Sequence, residues 1–383
     1  MTNVTSETEA ILLQLQTAGL SYREKVPGAR ETLMSLSRDL ISNLQLPSEA
    51  LMRMGWAEPA MMANCRTAVD LEIFGHLKES RETGITTKEL AVKCAVAQLT
   101  HHEPLARIMK HLAAMNVVGE KSEDTYSSTP LAEALCEAKY RDGIIFLYDV
   151  AGVSFRYLPE YLKKISYTLP TDATNGPFQG AHKTELSAFS WLDHNPAYIQ
   201  AFNNYMSAYR AGTPSWVDPG FYPVADRLID GFNSDYSDAF LVDIGGGKGH
   251  DLHELKEKHP NIPGRLILQD RQVVISTVGS GIFEAMSHDF FAAQPIKNAR
   301  AYHLHSILHN WGDDDCVRIL RQLRSAMKPG YSRLLLNEII VLERTEAQLV
   351  KLLRQAGFNL VKIYSYELVQ ESLVEAELDE EEV

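Results

Sequence analysis

Ten residues, Leu241-Val-Asp-Ile-Gly-Gly-Gly-Lys-Gly-His250, constrain this chain more than any others. A short apolar run ends in an acid, passes through four glycines among five residues, and enters a polar stretch, Asp251 to His259, of helical character. A strand that turns sharply into a helix through glycines is the first β-α unit of a nucleotide-binding sheet. Only a backbone without Cβ atoms lets a ligand press against it. The run Arg265-Leu-Ile-Leu-Gln-Asp270 supplies a second strand with an acid at its end. It stands near the ~20-residue spacing expected of a carboxylate that grips a ribose. Together the two segments imply an adenosine-type cofactor.

Length and composition set the outer limits. At 383 residues the chain exceeds the usual size of one domain, so two are expected. Hydrophobic content of 45% and charged content of 23% belong to an ordinary soluble globular protein. A formal net charge of −13 argues against nucleic acid as a partner, because phosphate binding needs clustered Lys and Arg. Cys65, Cys94, Cys136 and Cys316 lie far apart with no CxxC pair, so neither a metal site nor a disulfide framework is expected. The N-terminus lacks a basic region leading into an apolar core, and no apolar run reaches membrane-spanning length. A cytoplasmic protein without membrane attachment is the expectation.

The chain divides into four parts. Residues 1–60 read as a helical arm, with a Met-rich stretch (Met52, Met54, Met61, Met62) suited to a partner subunit or to an ordinary core layer. Residues 61–140 read as three helices and a hairpin, a winged helix. One helix covers Thr67 to Leu77, and Thr86-Thr87 opens the next as an N-cap. Because the third helix carries only Arg107, Lys110 and His111, and the wing carries Glu120, Glu123 and Asp124, dimerisation fits this scaffold better than DNA binding. Residues 141–235 are rich in aromatics and broken by prolines, a helical linker suited to lining a planar substrate's pocket. Residues 236–383 alternate strands and helices as a doubly wound, Rossmann-like α/β sheet. Its strands are expected near 240–243, 266–269, 301–305, 334–341 and 360–364. The terminal run Glu371 to Val383 reads as a like-charged, solvated tail.

The glycine spacing is not the G-x-G-x-x-G of a dinucleotide fingerprint. With Asp243 before it and Asp270 after it, the loop resembles that of class I methyltransferases dependent on S-adenosylmethionine (SAM). The segment His303-Leu-His-Ser-Ile-Leu-His-Asn-Trp-Gly-Asp-Asp-Asp-Cys316 is similar to the catalytic segment of plant and fungal caffeate-type O-methyltransferases. So are Ala326-Met-Lys-Pro-Gly-Tyr, Leu336-Asn-Glu-Ile-Ile and Leu342-Glu-Arg-Thr-Glu. Upstream, Asp172-Ala-Thr-Asn-Gly-Pro-Phe-Gln and Phe202-Asn-Asn-Tyr-Met resemble fungal natural-product enzymes.

The resemblance implies a homodimer built on the winged helix. It implies SAM held by Asp243, Gly245, Gly246, Gly247, Gly249, Asp270, Asp289, Phe290, His305 and Trp311, and a substrate near Phe202, Met206 and Asn310. It implies methyl transfer to an aromatic or enolic hydroxyl, with His309 as general base flanked by Glu338 and Glu343. Three positions depart from the family pattern. Asn310 stands where an Asp is usual, His305 where a Lys or Arg is usual, and residues 339–342 form a link shorter than the usual helix and loop. The first two leave room for a SAM-binding pericyclase that transfers no methyl, the retained His309, Glu338 and Glu343 arguing against it. A SAM-sensing winged-helix regulator is disfavoured by the acidic charge.

Overall fold

A computed structural model describes every residue except 1, 27, 95–102, 171, 209–211, 213, 280, 340–343, 366–370 and 380–383. The chain forms two compact units, residues 1–170 with 174–211, and residues 171–173 with 212–383.

In the first unit, helices Thr2–Arg23 and Ala29–Leu44 pack on one another, and Gly28 makes the turn between them with φ of 80°. Helices Glu58–Asp70, Ile73–Glu79, Thr87–Lys93 and Glu103–Ala114 follow. A small sheet of order β1-β3-β2 accompanies them, from β1 (Ile85–Thr86), β2 (Gly119–Ser122) and β3 (Thr125–Ser127). Leu105, Met109 and Leu112, spaced at i, i+4 and i+7, put one face of the last helix into a core with Leu77, Leu90 and Tyr126. Thr86 caps its helix as the sequence implies. Its hydroxyl accepts from Glu89 N–H, and the Glu89 carboxylate accepts from Thr86 N–H at 2.9 Å. The helix expected over 67–77 is instead broken at Leu71 and Glu72, where Glu72 adopts φ of 52°.

Helices Ala138–Phe146 and Pro196–Met206 pack together further along this unit. Phe146 and Phe202 lie 5.2 Å apart, and Asn204 Nδ2 donates to the buried Asp142 at 2.6 Å.

The second unit is built on a seven-stranded sheet of order β6-β5-β4-β7-β8-β10-β9. Its strands are β4 (Ala239–Ile244), β5 (Arg265–Asp270), β6 (Glu284–Ser287), β7 (Ala301–His305), β8 (Arg333–Glu338), β9 (Phe358–Ser365) and β10 (Ser372–Leu378). Strand β10 runs antiparallel to β8 and β9, and the other pairings among the described strands of this sheet are parallel. Strand alternation separates two cores. Val242, Ile244, Tyr302 and Leu304 face helices Asp313–Arg324 and Glu346–Gln355. Leu241, Ala301, Leu335 and Leu373 face Trp216 and helix His250–Lys258. The chain leaves β4 toward β5 and β6 and returns to β7 on the other side. The carboxyl ends of β4 and β7 therefore flank a switch point, where doubly wound sheets bind ligands. Among the described helices, none is long and apolar enough to cross a membrane.

Two readings of the sequence are corrected here. Strand β8 ends at Glu338 and leaves out Ile339, with residues 340 and 341 of the expected strand outside the described residues; at its end the Glu338 carboxylate accepts backbone N–H groups from another loop. The expectation of a solvated tail from Glu371 fails over residues 372–378, while residues 380–383 of it lie outside the described residues. Residues 372–378 are a strand inserted between β8 and β9, with Glu375 fully buried. Arg227 meets that carboxylate with two nitrogens at 2.7 and 3.1 Å, Arg333 approaches to 3.4 Å, and Tyr364 donates to it at 3.2 Å. Breaking a buried ion pair costs about 3–5 kcal/mol, and Arg227 remains partly exposed, so Glu375→Ala is expected to cost about 2–3 kcal/mol. Denaturant unfolding monitored on the second unit measures this, and an unchanged midpoint would count against the ion-pair account.

Candidate active site

At the end of β4 the chain turns through residues 245–249. Gly245 N–H donates to Gln269 O at 2.7 Å, and Gly247 N–H donates to Asp270 Oδ2 at 2.9 Å, which fastens the loop to β5. Gly247 has φ of 60°, in the left-handed region. Gly246 is required by space: a Cβ there would stand 2.1 Å from Asp243 Oδ2. On Gly245 a Cβ would stand 2.5 Å from Ile307 and 4.0 Å from Phe290. The glycine loop, the segment before His309 and the Phe290 segment therefore converge.

Asp243 is fully buried. Its Oδ1 lies 2.9 Å from His303 Nδ1, and its Oδ2 has no hydrogen-bond partner among the described residues. Burial pushes its carboxyl above the ordinary range, and His303 opposes that rise. Burial likewise raises Asp270, and the N–H groups of Arg271 and Gly247 pull it back in part. An unsatisfied buried oxygen beside a loop that excludes Cβ atoms is the environment a polar ligand completes. The residues fit SAM.

Across the switch point, β7 ends at His305, and Ser306 adopts φ of 52°. A single 3-10 turn, Leu308–Asn310, follows. Glu338, at the end of β8, reaches this turn. Its Oε1 accepts from Ile307 N–H at 3.1 Å and from Leu308 N–H at 2.7 Å, and its Oε2 lies 3.4 Å from His309 Nδ1. Glu338 is buried, whereas the His309 side chain is 25% exposed. An imidazole with one nitrogen toward a buried acid and partial access to solvent has the form of an oriented base. Asn310 Nδ2 donates to Ser306 O at 3.3 Å. Trp311 stands edge-on to Phe290 at 5.8 Å and to Phe291 at 4.8 Å, so Phe290 and Trp311, both expected to hold SAM, lie together. Asp289 accepts from Phe291 N–H at 3.0 Å.

His305 lies between two carboxylates. Its Nδ1 is 2.8 Å from Asp251 Oδ2, and its Nε2 is 3.4 Å from Glu371. Trp216 Nε1 donates to the other Asp251 oxygen at 3.1 Å. Sequence reasoning did not single out Asp251, His303 or Glu371. Nor did it single out Arg344, which reaches the His309 turn from the far side of the chain. Gly249 has φ of 79° at the start of helix His250–Lys258. Phe202 and Met206 sit in the first unit, on helix Pro196–Met206. Glu343 lies outside the described residues.

Comparison with known proteins gives concordant matches. The family described as an O-methyltransferase domain matches residues 226–363, and that described as an O-methyltransferase dimerisation domain matches residues 60–138. O-methyltransferase mpaG of Penicillium brevicompactum is 43% identical, over 96% of this chain and 98% of its own length. Among solved structures, one described as a pericyclic reaction enzyme superposes with a TM-score of 0.85. It is 25% identical and covers 97% of this chain and 99% of its own. LepI in complex with SAM superposes with a TM-score of 0.85 at 26% identity, over 98% of this chain and 99% of its own.

The close fit at Gly246 generates a direct test. Forcing an extra carbon into a packed site costs about 1–3 kcal/mol, which, where the cofactor-bound geometry bears it, is roughly five- to 150-fold in Kd. Gly246→Ala is therefore expected to weaken S-adenosylhomocysteine binding by that factor in titration calorimetry. Wild-type affinity in this variant would remove the loop from the cofactor site.

Proposed function

The chain belongs to the O-methyltransferase family, and on that footing we propose that it methylates an aromatic or enolic hydroxyl of a small natural-product molecule, with His309 as general base. One observation carries this reading above the others. Glu338 holds the His309 turn by two backbone hydrogen bonds and stands 3.4 Å from His309 Nδ1, while Ile307 of the same segment abuts the glycine loop.

The chemistry needs such a base. A phenol of pKa ~10 is mostly protonated near neutrality, and its neutral oxygen is a weak nucleophile. SAM, when bound, supplies an electrophilic methyl on a sulfonium that leaves as a neutral thioether. His309 takes the hydroxyl proton as the new C–O bond forms, and Glu338 compensates the positive charge that develops on the ring. A positioned base contributes about 10²- to 10⁴-fold, and alignment of the acceptor oxygen with the methyl supplies much of the rest. Asp243, Gly245, Gly246, Gly247 and Gly249 are proposed for the methionine end, with His305 and its two carboxylates beside it. Asp270 is proposed for the ribose, and Asp289, Phe290 and Trp311 for the adenine. Glu343 as a second acid beside His309, and Phe202, Met206 and Asn310 as substrate contacts, rest on the family resemblance alone.

A homodimer is proposed from the dimerisation-domain match at 60–138. Light scattering on the eluted protein is expected to give twice the 42.9 kDa chain mass, and a monomer would overturn the assignment. Cys65, Cys94, Cys136 and Cys316 are free thiols, which favours a reducing compartment, and the cytoplasm is proposed on that ground. A charge of −13 weighs against a nucleic-acid partner.

A second reading keeps SAM bound without consuming it, as a pericyclase. The superposition on a structure described as a pericyclic reaction enzyme favours it, as does the neutral Asn310 beside the base. One incubation separates the two: methyl-deuterated SAM with a panel of phenols, hydroxypyridones and enolic polyketides, followed by mass spectrometry. The expected outcome is a deuteromethylated product with S-adenosylhomocysteine rising in step, reduced about 10²- to 10⁴-fold in His309→Ala. An isomerised or dehydrated product with SAM intact would establish the pericyclase instead.

A further inference from the structure

The turn that carries His309 holds itself weakly. It is three residues long, and its closing hydrogen bond, Trp311 N–H to Leu308 O, measures 3.2 Å. Glu338 fixes one side by accepting from Ile307 and Leu308. The other side exposes the carbonyls of Leu308 and Trp311, which bracket His309 and Asn310. Arg344 reaches both. Its Nη1 donates to Leu308 O at 2.8 Å and its Nη2 to Trp311 O at 2.6 Å, while its Nε donates to Asp313 Oδ1 at 3.1 Å. Cys316 Sγ also approaches the two carbonyls, at 3.2 and 3.5 Å, as a far weaker donor.

A guanidinium suits this task because its donors are coplanar and held at fixed spacing. An ammonium is a single flexible point. Two carbonyls three residues apart are thereby held at one separation, and the ring between them is held with them. Asp313 sits in the first turn of helix Asp313–Arg324 with a 70% exposed side chain. Its pairing with Arg344 orients the guanidinium plane more than it adds energy. Glu338 and Arg344 grip the turn through opposite backbone groups, one as acceptor and the other as donor.

We propose that Arg344 is a positioning residue for methyl transfer, fixing the turn so that His309 meets the acceptor hydroxyl in the reactive geometry; this rests on the reading of His309 as base. The guanidinium acts through the turn and takes no part in the bond changes. Its loss leaves the glycine loop fastened to β5 while the base wanders, and loosens Trp311 at the edge of the same turn.

The test compares full-length Arg344→Met, Arg344→Lys and His309→Gln with wild type. Turnover is measured at saturating SAM on the most rapidly methylated phenol of the panel above, together with calorimetric affinity for S-adenosylhomocysteine. Carbethoxylation of His309 by diethyl pyrocarbonate, followed by peptide mass spectrometry, reports its accessibility independently of turnover. Misplacing a reacting group by about 1 Å costs about 10²-fold, so Arg344→Met is expected to lose about that much kcat. Its S-adenosylhomocysteine affinity, which Trp311 shares with the glycine loop, is expected to fall far less than kcat, with KM for the phenol near wild type, and His309 is modified faster. Arg344→Lys keeps the charge but not the fork, and is expected to recover only a minor part. Wild-type kcat in Arg344→Met or Arg344→Lys would overturn the proposal. So would cofactor affinity falling in step with kcat, or loss of the folded state in both variants, since either assigns Arg344 to general stability. His309→Gln as fast as wild type would instead sink the base itself. An inactive His309→Gln beside a fully active Arg344→Met would sink this inference alone.

Discussion

The carboxylate of Glu338 joins the two halves of the site. One oxygen accepts two successive backbone N–H groups, from Ile307 and Leu308, and the other faces His309. Hydrogen bonds to an ionised acceptor are roughly twice as strong as neutral ones. Here they satisfy amides that a three-residue turn cannot satisfy internally. The same contact lies at the end of β8, fastens the loop after β7, and holds Ile307 against Gly245. The glycine loop proposed for the cofactor and the turn proposed to present the base are thus registered against each other by one buried acid. If that acid were moved, both loops would lose their common reference.

The sequence revealed what is local. The glycine loop, its flanking Asp243 and the partner Asp270 are legible because their chemistry is contiguous or follows at a fixed interval along the chain. The Thr86 cap is legible for the same reason. His309 and Glu338 were found through a family motif, yet the bonds that unite them span about thirty residues and leave no periodic trace. The pairing of His305 with Asp251 and Glu371 joins residues 54 and 66 positions apart, and neither acid stands out from the many on the surface. Arg344 reads as one more charge in an exposed segment until its two carbonyl acceptors are seen.

The misread terminus has a physical explanation. Charge patterning treats a run of acids as solvated, and for residues 372–378 the alternation Leu373, Glu375, Glu377 is masked by its carboxylates. Arg227, 148 residues away, decides the burial of Glu375 and is invisible to any local window. Strand β6 was missed for the opposite reason. Glu284–Ser287 is a short edge strand, mostly exposed, with no apolar alternation to announce it.

The order of strands along the chain differs from their order in space, and this bears on how the molecule is assembled. The five parallel strands grow outward from β4, each able to dock beside one already present. Strand β9 cannot, because among the described strands its one neighbour is β10, which comes after it in the chain. Strand β9 can therefore join the sheet only together with β10 or after it. Until β10 docks, β8 presents an open apolar edge, and unpaired edges of this kind are where partly folded chains stick to one another. The two strands that cover this edge are the last of the sheet to be reached along the chain, after every strand that borders the glycine loop.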